Sequence, residues 1–137
     1  MKASNKILIG GQALRELGSD RYTSDVDYLV FDENSKNQFI TSKEIDFLNA
    51  NGNKFFKEIY EVEKNNSIAS AQSLLELKAY AFVQHCQNFN WAKVDSSEYD
   101  IKFLVRKFNL KGLKIVKKYI STGELFEVEK IIKSVKF

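Results

Sequence analysis

The feature that most constrains the fold is a change in the spacing of apolar residues partway along the chain. Up to about residue 66 they form short runs of strand length, bounded by Gly, Asn and other polar residues. Beyond that point they recur at intervals of three and four, the spacing of one helix face. The sequence therefore predicts a single α/β (α+β) domain, with a small mixed β-sheet and helices over residues 1–66 and helices over residues 67–137.

Three strands are predicted in the first part of the chain. Their positions are residues 6–9, 25–31 and 43–48, and a short helix is predicted over residues 55–62. Gly10-Gly11 follows the first apolar run and precedes good helix formers, which indicates a strand, a glycine turn and a helix. The second run begins polar and ends wholly apolar, as a strand does when it passes from an open edge into a core.

Three Ser-x-x-acid patterns predict helix starts in the second part of the chain. They are Ser73 with Glu76, Ser97 with Asp100, and Ser121 with Glu124, and Ser70 is an alternative start for the first helix. Apolar residues at helical spacing follow each pattern. We therefore expect three helices, each beginning at or near its serine.

The charge of the chain is unevenly distributed. Residues 1–100 hold 11 Lys and Arg against 15 Asp and Glu, a net charge of −4, while residues 101–137 hold 10 against 3, a net charge of +7. Lys107, Lys111, Lys114 and Lys118 would share one helix face if Gly112 does not break the helix. This stripe is either a solvated face opposite a core or a track for an RNA phosphate backbone or an acidic partner.

Cysteine and hydropathy exclude several classes of protein. Cys86 has no second cysteine to pair with, so there is no disulfide framework, and no Cys and His cluster has the spacing of zinc ligands. No apolar run approaches the roughly 20 residues that cross a bilayer. We therefore expect a cytoplasmic protein without membrane contact.

Two carboxylates of the second predicted strand indicate chemistry. Asp25 and Asp27 lie two residues apart, so a strand sends both side chains to one face, about 7 Å apart along the chain. Mg²⁺ usually takes one or two carboxylates together with substrate phosphates. At the preceding turn, Gly10 and Gly11 allow backbone N–H groups to approach an anion closely. Together these features predict a site for a metal-bound nucleotide.

In this order and spacing the residues resemble the nucleotidyltransferase (DNA polymerase beta-like) superfamily. Its pattern is a hydrophobic residue, Gly, then Gly or Ser, followed by an acid-x-acid pair and a third acid on a later strand. The matching residues are Ile9-Gly10-Gly11 and Arg21-x-Thr23-Ser24-Asp25-Val26-Asp27-Tyr28-Leu29, with similar helical segments at 73–79 and 99–104. This version is most similar to minimal nucleotidyltransferases, including those associated with toxin–antitoxin pairs.

The resemblance implies a transferase that uses Mg²⁺ or Mn²⁺ and a nucleoside triphosphate. Asp25 and Asp27 would hold the metal ion, and Asp46 would be the third acid, binding a second ion or activating an acceptor hydroxyl. Gly10 and Gly11 would hold the β- and γ-phosphates through backbone N–H groups.

The resemblance also suggests further residues for nucleotide binding. Arg21 would add positive charge near the phosphates, Thr23 and Ser24 would bind them or fix the Asp25 turn, and Lys78 matches a family lysine on a helix. Glu44 is the substitute if Asp46 points elsewhere.

Three hypotheses follow for the function. The first is a nucleotidyltransferase that moves a nucleoside monophosphate onto a hydroxyl of a protein, an RNA or a small molecule and releases pyrophosphate. The second is an inactive protein of the same fold that acts as a binding module, for instance in a toxin–antitoxin-like pair. The third is a purely structural domain, which would bind no nucleotide.

Overall fold

The computed structural model describes residues 5–137, which form two compact units, residues 5–70 and residues 71–137. The first unit carries a four-stranded mixed sheet and two helices, and the second carries three helices. The predicted α+β class, with a small mixed sheet followed by helices, is confirmed. The division between the units lies close to the change of apolar spacing near residue 66. Within the described part of the chain, no helix is both long and apolar enough to cross a membrane.

The sheet of the first unit has the strand order β1-β2-β4-β3. The strands are β1 (Ile7–Ile9), β2 (Val26–Val30), β3 (Phe39–Ser42) and β4 (Ile45–Asn49). β2 is antiparallel to β1 and parallel to β4, and β3 is antiparallel to β4. Residues 67–69 run beside β1, on the side of that strand that does not face β2. The Leu8 N–H donates to Ser67 O at 2.8 Å, and the Ala69 N–H donates to Leu8 O at 3.1 Å. These bonds connect the end of the unit to its first strand.

One strand was not predicted from the sequence. β3 is four residues long and mostly exposed, so it has no buried alternation that would mark it. It forms a hairpin with β4 through a two-residue turn, in which Lys43 has a φ of 55°. The strand predicted over residues 43–48 therefore begins at Ile45, and Glu44 lies in the turn outside the strand.

Apolar residues of one sheet face pack beneath the helices of the first unit. These helices are α1 (Gly10–Glu16) and α2 (Lys54–Glu63). Ile7, Leu29, Leu48 and Phe39 pair in turn across the four strands, and the first two are fully buried. The ring of Phe39 meets the ring of Phe56 of α2 edge to face, with centroids 5.9 Å apart. This row fixes the sheet register, because a slip of one residue would move it to the other face.

The second unit consists of α3 (Ala71–Gln87), α4 (Trp91–Phe108) and α5 (Thr122–Ser134). A short 3₁₀ turn, Val116–Lys118, lies in the connection between α4 and α5. The core of the second unit is mainly aliphatic. Its side chains with under 2% exposure include Leu74, Leu75, Ile101, Leu104, Val116 and Val128.

Of the three predicted helix starts, the one at Ser121 is confirmed, the first lies at the alternative Ser70 rather than at Ser73, and the one at Ser97 was wrong. α5 begins with a complete capping box, in which Ser121 Oγ accepts from Glu124 N–H at 3.1 Å and Glu124 Oε1 accepts from Ser121 N–H at 2.8 Å. Ser73 lies inside α3, which begins at Ala71 directly after Ser70. Ser97 lies inside α4, whose N-cap is Asn90.

Glu76 explains why the first of these patterns misled. Its carboxylate is fully buried and accepts hydrogen bonds from the backbone N–H groups of three residues distant in sequence. The distances are 2.7 Å from Lys114, 3.2 Å from Ile115 and 2.9 Å from Val116. An acid three residues after a serine fits a capping box equally well, so only the tertiary fold distinguishes the two uses.

The condition for a lysine stripe along one helix face is not met, because the helix ends before Gly112. α4 ends at Phe108, and Asn109 is a left-handed C-cap with a φ of 53°. Residues 106–118, called the basic segment below, run from the last turn of α4 through a non-helical stretch into the 3₁₀ turn. Its cations therefore do not follow a helical repeat.

Candidate functional site

A row with three polar side chains and one buried isoleucine crosses one end of the sheet in the first unit. Ile9, Asp27, Asp46 and Thr41 pair in turn across β1, β2, β4 and β3, and we call them the Asp27 row. The row lies two residues from the buried Leu29 row, so it occupies the same sheet face, beyond the apolar part. The start of β2, the start of β4 and the end of β1 therefore lie at the same end of the sheet.

The turn after β1 brings Gly10 against Asp27. Helix α1 begins directly at Gly10, so the two glycines form its first turn rather than a separate turn before it. Gly10 has a φ of 69°, and a Cβ added to it would overlap the Asp27 Oδ2 atom. The absence of a side chain thus leaves room for the Asp27 carboxylate beside the backbone of α1.

Gly11 allows a second close approach. A Cβ on Gly11 would overlap the Thr23 methyl group and would lie 3.3 Å from Arg21 Nη2. The loop before β2 is also held by Gln12, whose Nε2 donates to Thr23 O at 2.9 Å. The structure therefore brings together five sequence-predicted site residues: Gly10 contacts Asp27, and Gly11 contacts Thr23 and Arg21. Gln12, which holds this loop, was not among the residues predicted from the sequence. Its position directly after the two glycines could have indicated it.

Asp25 and Ser24 lie in the loop that leads into β2, and both are exposed. The Asp25 N–H donates to Thr23 Oγ1 at 3.3 Å, a local turn that supports the interpretation of Thr23 as a residue that fixes this loop. The prediction that Asp25 lies on the strand with Asp27 was wrong, because β2 begins at Val26. The ladder with β1 ends at Asp27 and the ladder with β4 begins at Val26, so neither holds Asp25 in the sheet. Its side chain is therefore available to solvent next to the Asp27 row.

Asp46 is the direct neighbour of Asp27 in the parallel ladder of β2 and β4. Neighbouring strands lie about 4.8 Å apart, so the two residues are close enough for their carboxylates to share one ligand. Asp46 is exposed, whereas Asp27 is half-buried. The register agrees with the expectation that the third acid lies on a strand beside the first pair, and its role stays a prediction.

Lys78 lies in the second unit, on α3. Its ammonium group forms an ion pair with Asp100 of α4 at 2.9 Å, and the Asp100 side chain is 1% exposed. Asp100, predicted as part of a helix start, is therefore a buried partner for a lysine in the middle of α4. A role of Lys78 in nucleotide binding stays a prediction.

The side-chain donor atoms of the Asp27 row fit a hard cation, because all are oxygens, which Mg²⁺ and Mn²⁺ prefer. Across residues 5–137, no group of three or more His, Cys, Asp or Glu side chains is arranged to hold a metal ion. A pair of carboxylates completed by substrate phosphates is the arrangement that Mg²⁺ commonly takes.

The close approach of Gly10 to Asp27 leads to a stability prediction. We expect Gly10→Ala to lower the free energy of unfolding by about 1–2 kcal/mol, because alanine resists a positive φ and its Cβ would displace the Asp27 carboxylate. Gly123→Ala is the control, since a Cβ there meets no atom within 4 Å. Urea unfolding followed by circular dichroism measures both. Equal stability of the Gly10 variant and the unchanged chain would contradict the packing described.

The single histidine and the single cysteine lie together near the end of α3. Burial, followed by Lys93 and Lys78, lowers the pKa of His85, which favours the neutral imidazole. Burial, followed by Glu127 and Glu124, raises the pKa of Cys86, which favours the thiol over the nucleophilic thiolate. The environment of Cys86 therefore does not activate its thiol as a nucleophile.

Comparisons with known proteins identify no relative. No protein-family model, no curated protein and no solved structure matches the chain.

Proposed function

We propose that the chain is a nucleotidyltransferase that uses Mg²⁺ or Mn²⁺ and transfers a nucleoside monophosphate from a triphosphate to an acceptor hydroxyl. The observation that carries the proposal is the packing of Asp27 against Gly10, with Asp46 beside it in the parallel ladder. This arrangement combines two features that a metal-bound triphosphate needs, adjacent carboxylates and a turn without side chains. The motif resemblance over residues 9–29 supports the same assignment.

In this proposal each residue at the sheet edge has a separate task. Asp25 and Asp27 hold the metal ion, and the backbone of Gly10 and Gly11 faces the β- and γ-phosphates. Arg21, whose guanidinium lies beside Gly11, adds positive charge on the same side of the turn. The metal, when bound, neutralises phosphate charge and helps to polarise the α-phosphorus.

The transfer step conserves atoms and charge. The acceptor hydroxyl oxygen bonds to the α-phosphorus, and the bond from that phosphorus to the α,β-bridging oxygen breaks. The leaving pyrophosphate keeps the electron pair of that bond, and the hydroxyl proton passes to a carboxylate. Asp46 is the candidate base, because it is exposed next to Asp27.

Nucleotide binding tests the proposal without knowledge of the acceptor. The full chain is titrated by calorimetry with the α,β-methylene analogues of ATP, CTP, GTP and UTP, with Mg²⁺ or with excess EDTA. We expect saturable binding of at least one analogue that requires the metal. Absence of binding to all four analogues in the presence of Mg²⁺ would overturn the proposal and favour a purely structural domain.

A second measurement separates the enzyme from an inactive binding module. The chain is incubated with natural triphosphates, Mg²⁺ and either total RNA or a protein extract as the source of acceptors, and released pyrophosphate is measured. The proposal predicts pyrophosphate release that EDTA abolishes. Metal-dependent binding without any release would instead favour the binding module, such as one member of a toxin–antitoxin-like pair.

A further inference from the structure

The basic segment displays a dense set of positive side chains in the second unit. Residues 106–118 contain six Lys and Arg and no Asp or Glu, and all six side chains are exposed: Arg106, Lys107, Lys111, Lys114, Lys117 and Lys118. Six like charges over 13 residues repel one another. An arrangement of this kind is favourable where a polyanion offsets the repulsion.

Buried contacts hold the basic segment in a defined conformation. Leu113 is 8% exposed and Val116 is fully buried. These two side chains pack into the core of the unit and hold the backbone between the lysines in place. Glu76 accepts from the N–H groups of residues 114–116, and Gln72 Nε2 donates to Gly112 O at 3.0 Å. The cations therefore project from an ordered surface rather than from an extended tail.

Aromatic rings lie beside these cations. The Lys107 ammonium is 5.8 Å from the ring centroid of Phe103 and 6.0 Å from that of Phe108, which is 37% exposed. Lys118 lies over the Tyr119 ring at 5.9 Å. Positive charge combined with accessible rings is the composition of surfaces that bind single-stranded nucleic acids, where phosphates meet cations and unpaired bases stack on rings. A duplex would hide the base faces, and an acidic protein would make no use of the rings.

We propose that the basic segment binds single-stranded nucleic acid through its phosphates, with base stacking on the neighbouring rings. This inference is independent of the proposed transferase activity, since it involves no residue of the Asp27 row. RNA and DNA strands are expected to bind alike, because phosphate and stacking contacts do not read the 2′-hydroxyl.

Fluorescence anisotropy tests this inference on the full chain. The probe is a labelled oligouridylate of about 20 nucleotides, titrated at several KCl concentrations from about 50 mM upward. We expect binding that weakens steeply with salt, because each neutralised phosphate contributes about 0.7 to the slope of log K against log salt for a single strand. The deoxy strand, a duplex of similar length and poly-glutamate are titrated in parallel.

A pair of triple variants separates this surface from overall charge. Lys111→Gln, Lys114→Gln and Lys117→Gln together remove three charges from the basic segment. We expect this variant to bind at least about tenfold more weakly and to reduce the salt slope by about 2. The control removes three exposed lysines near the end of the chain, by Lys130→Gln, Lys133→Gln and Lys136→Gln. We expect it to change the affinity less than about threefold, since Glu127 and Glu129 already neutralise two of those lysines.

Several outcomes would overturn the proposal. The first is the absence of binding to the oligouridylate at the lowest salt concentration. The second is an equal loss of affinity in both triple variants, which would show an effect of net charge alone. The third is binding of poly-glutamate or of the duplex that is as tight as binding of the single strand. A normal thermal unfolding curve of each variant confirms that an affinity change does not come from unfolding.

Discussion

The Asp27→Asn variant is expected to lose at least about 100-fold of any metal-dependent pyrophosphate release, which corresponds to about 2.7 kcal/mol in the activation free energy. The substitution keeps the shape of the side chain that packs against Gly10 but removes the charge proposed to hold the metal ion. Metal-dependent binding of the α,β-methylene nucleotide is expected to weaken by at least about tenfold. The reason is that the variant binds the metal ion less tightly, and that ion offsets the repulsion between the phosphates and the remaining carboxylates. Calorimetry and the pyrophosphate assay measure the two effects.

Asp32→Asn is the matched control for this variant. Asp32 lies just beyond the other end of β2, and its Oδ1 accepts from the Asn34 N–H at 2.9 Å, a bond that an asparagine oxygen retains. It makes the same charge change without touching the Asp27 row. Full activity of Asp27→Asn, or an equal loss in both variants, would show that the proposed metal site is wrong.

The Glu76→Ala variant is expected to lose about 3–5 kcal/mol of unfolding free energy, the largest stability effect among our predictions. The change leaves three backbone N–H groups, those of residues 114–116, without their acceptor. The Val116 bond is buried, and an unmade bond of a buried donor costs about 1–3 kcal/mol; the other two are part-buried and add less. It also removes a fully buried side chain and leaves a cavity. Urea unfolding followed by circular dichroism measures the loss.

Glu98→Ala is the control for this prediction, because Glu98 belongs to the same unit but forms only an exposed ion pair with Lys102, at 3.0 Å. Exposed pairs of this kind contribute about 0.5 kcal/mol or less. Hydrogen exchange of the amides at 114–116 should become faster in Glu76→Ala and stay unchanged in Glu98→Ala. A loss below about 1 kcal/mol in Glu76→Ala would show that these bonds are replaced by water at little cost.

Local sequence patterns were sufficient where one segment holds all the interacting groups. The strand, glycine and helix over residues 7–16 follow from an apolar run and its breakers, and the Ser121–Glu124 capping box follows from two side chains one helical turn apart. Local patterns gave wrong predictions where a residue distant in sequence determines how a side chain is used. Ser97 and Asp100 have the spacing of a helix start, yet Asp100 lies buried beside Lys78 in the middle of α4.

The candidate site divides in the same way. The sequence by itself determined the pair of nearby acids, Asp25 and Asp27, and the glycines that precede them, because residue order and backbone freedom are local properties. Only the structure showed that the strand begins after Asp25, at Val26. Only the tertiary structure decided that Gly10 lies against Asp27 and that Asp46 is its ladder neighbour, since strand order and register depend on the whole sheet. The positive charge of residues 101–137 was likewise evident in the sequence. The ordered conformation of the segment that carries this charge depends on the tertiary structure. Glu76, a buried carboxylate distant in sequence, holds the segment through hydrogen bonds that form only when the helices pack.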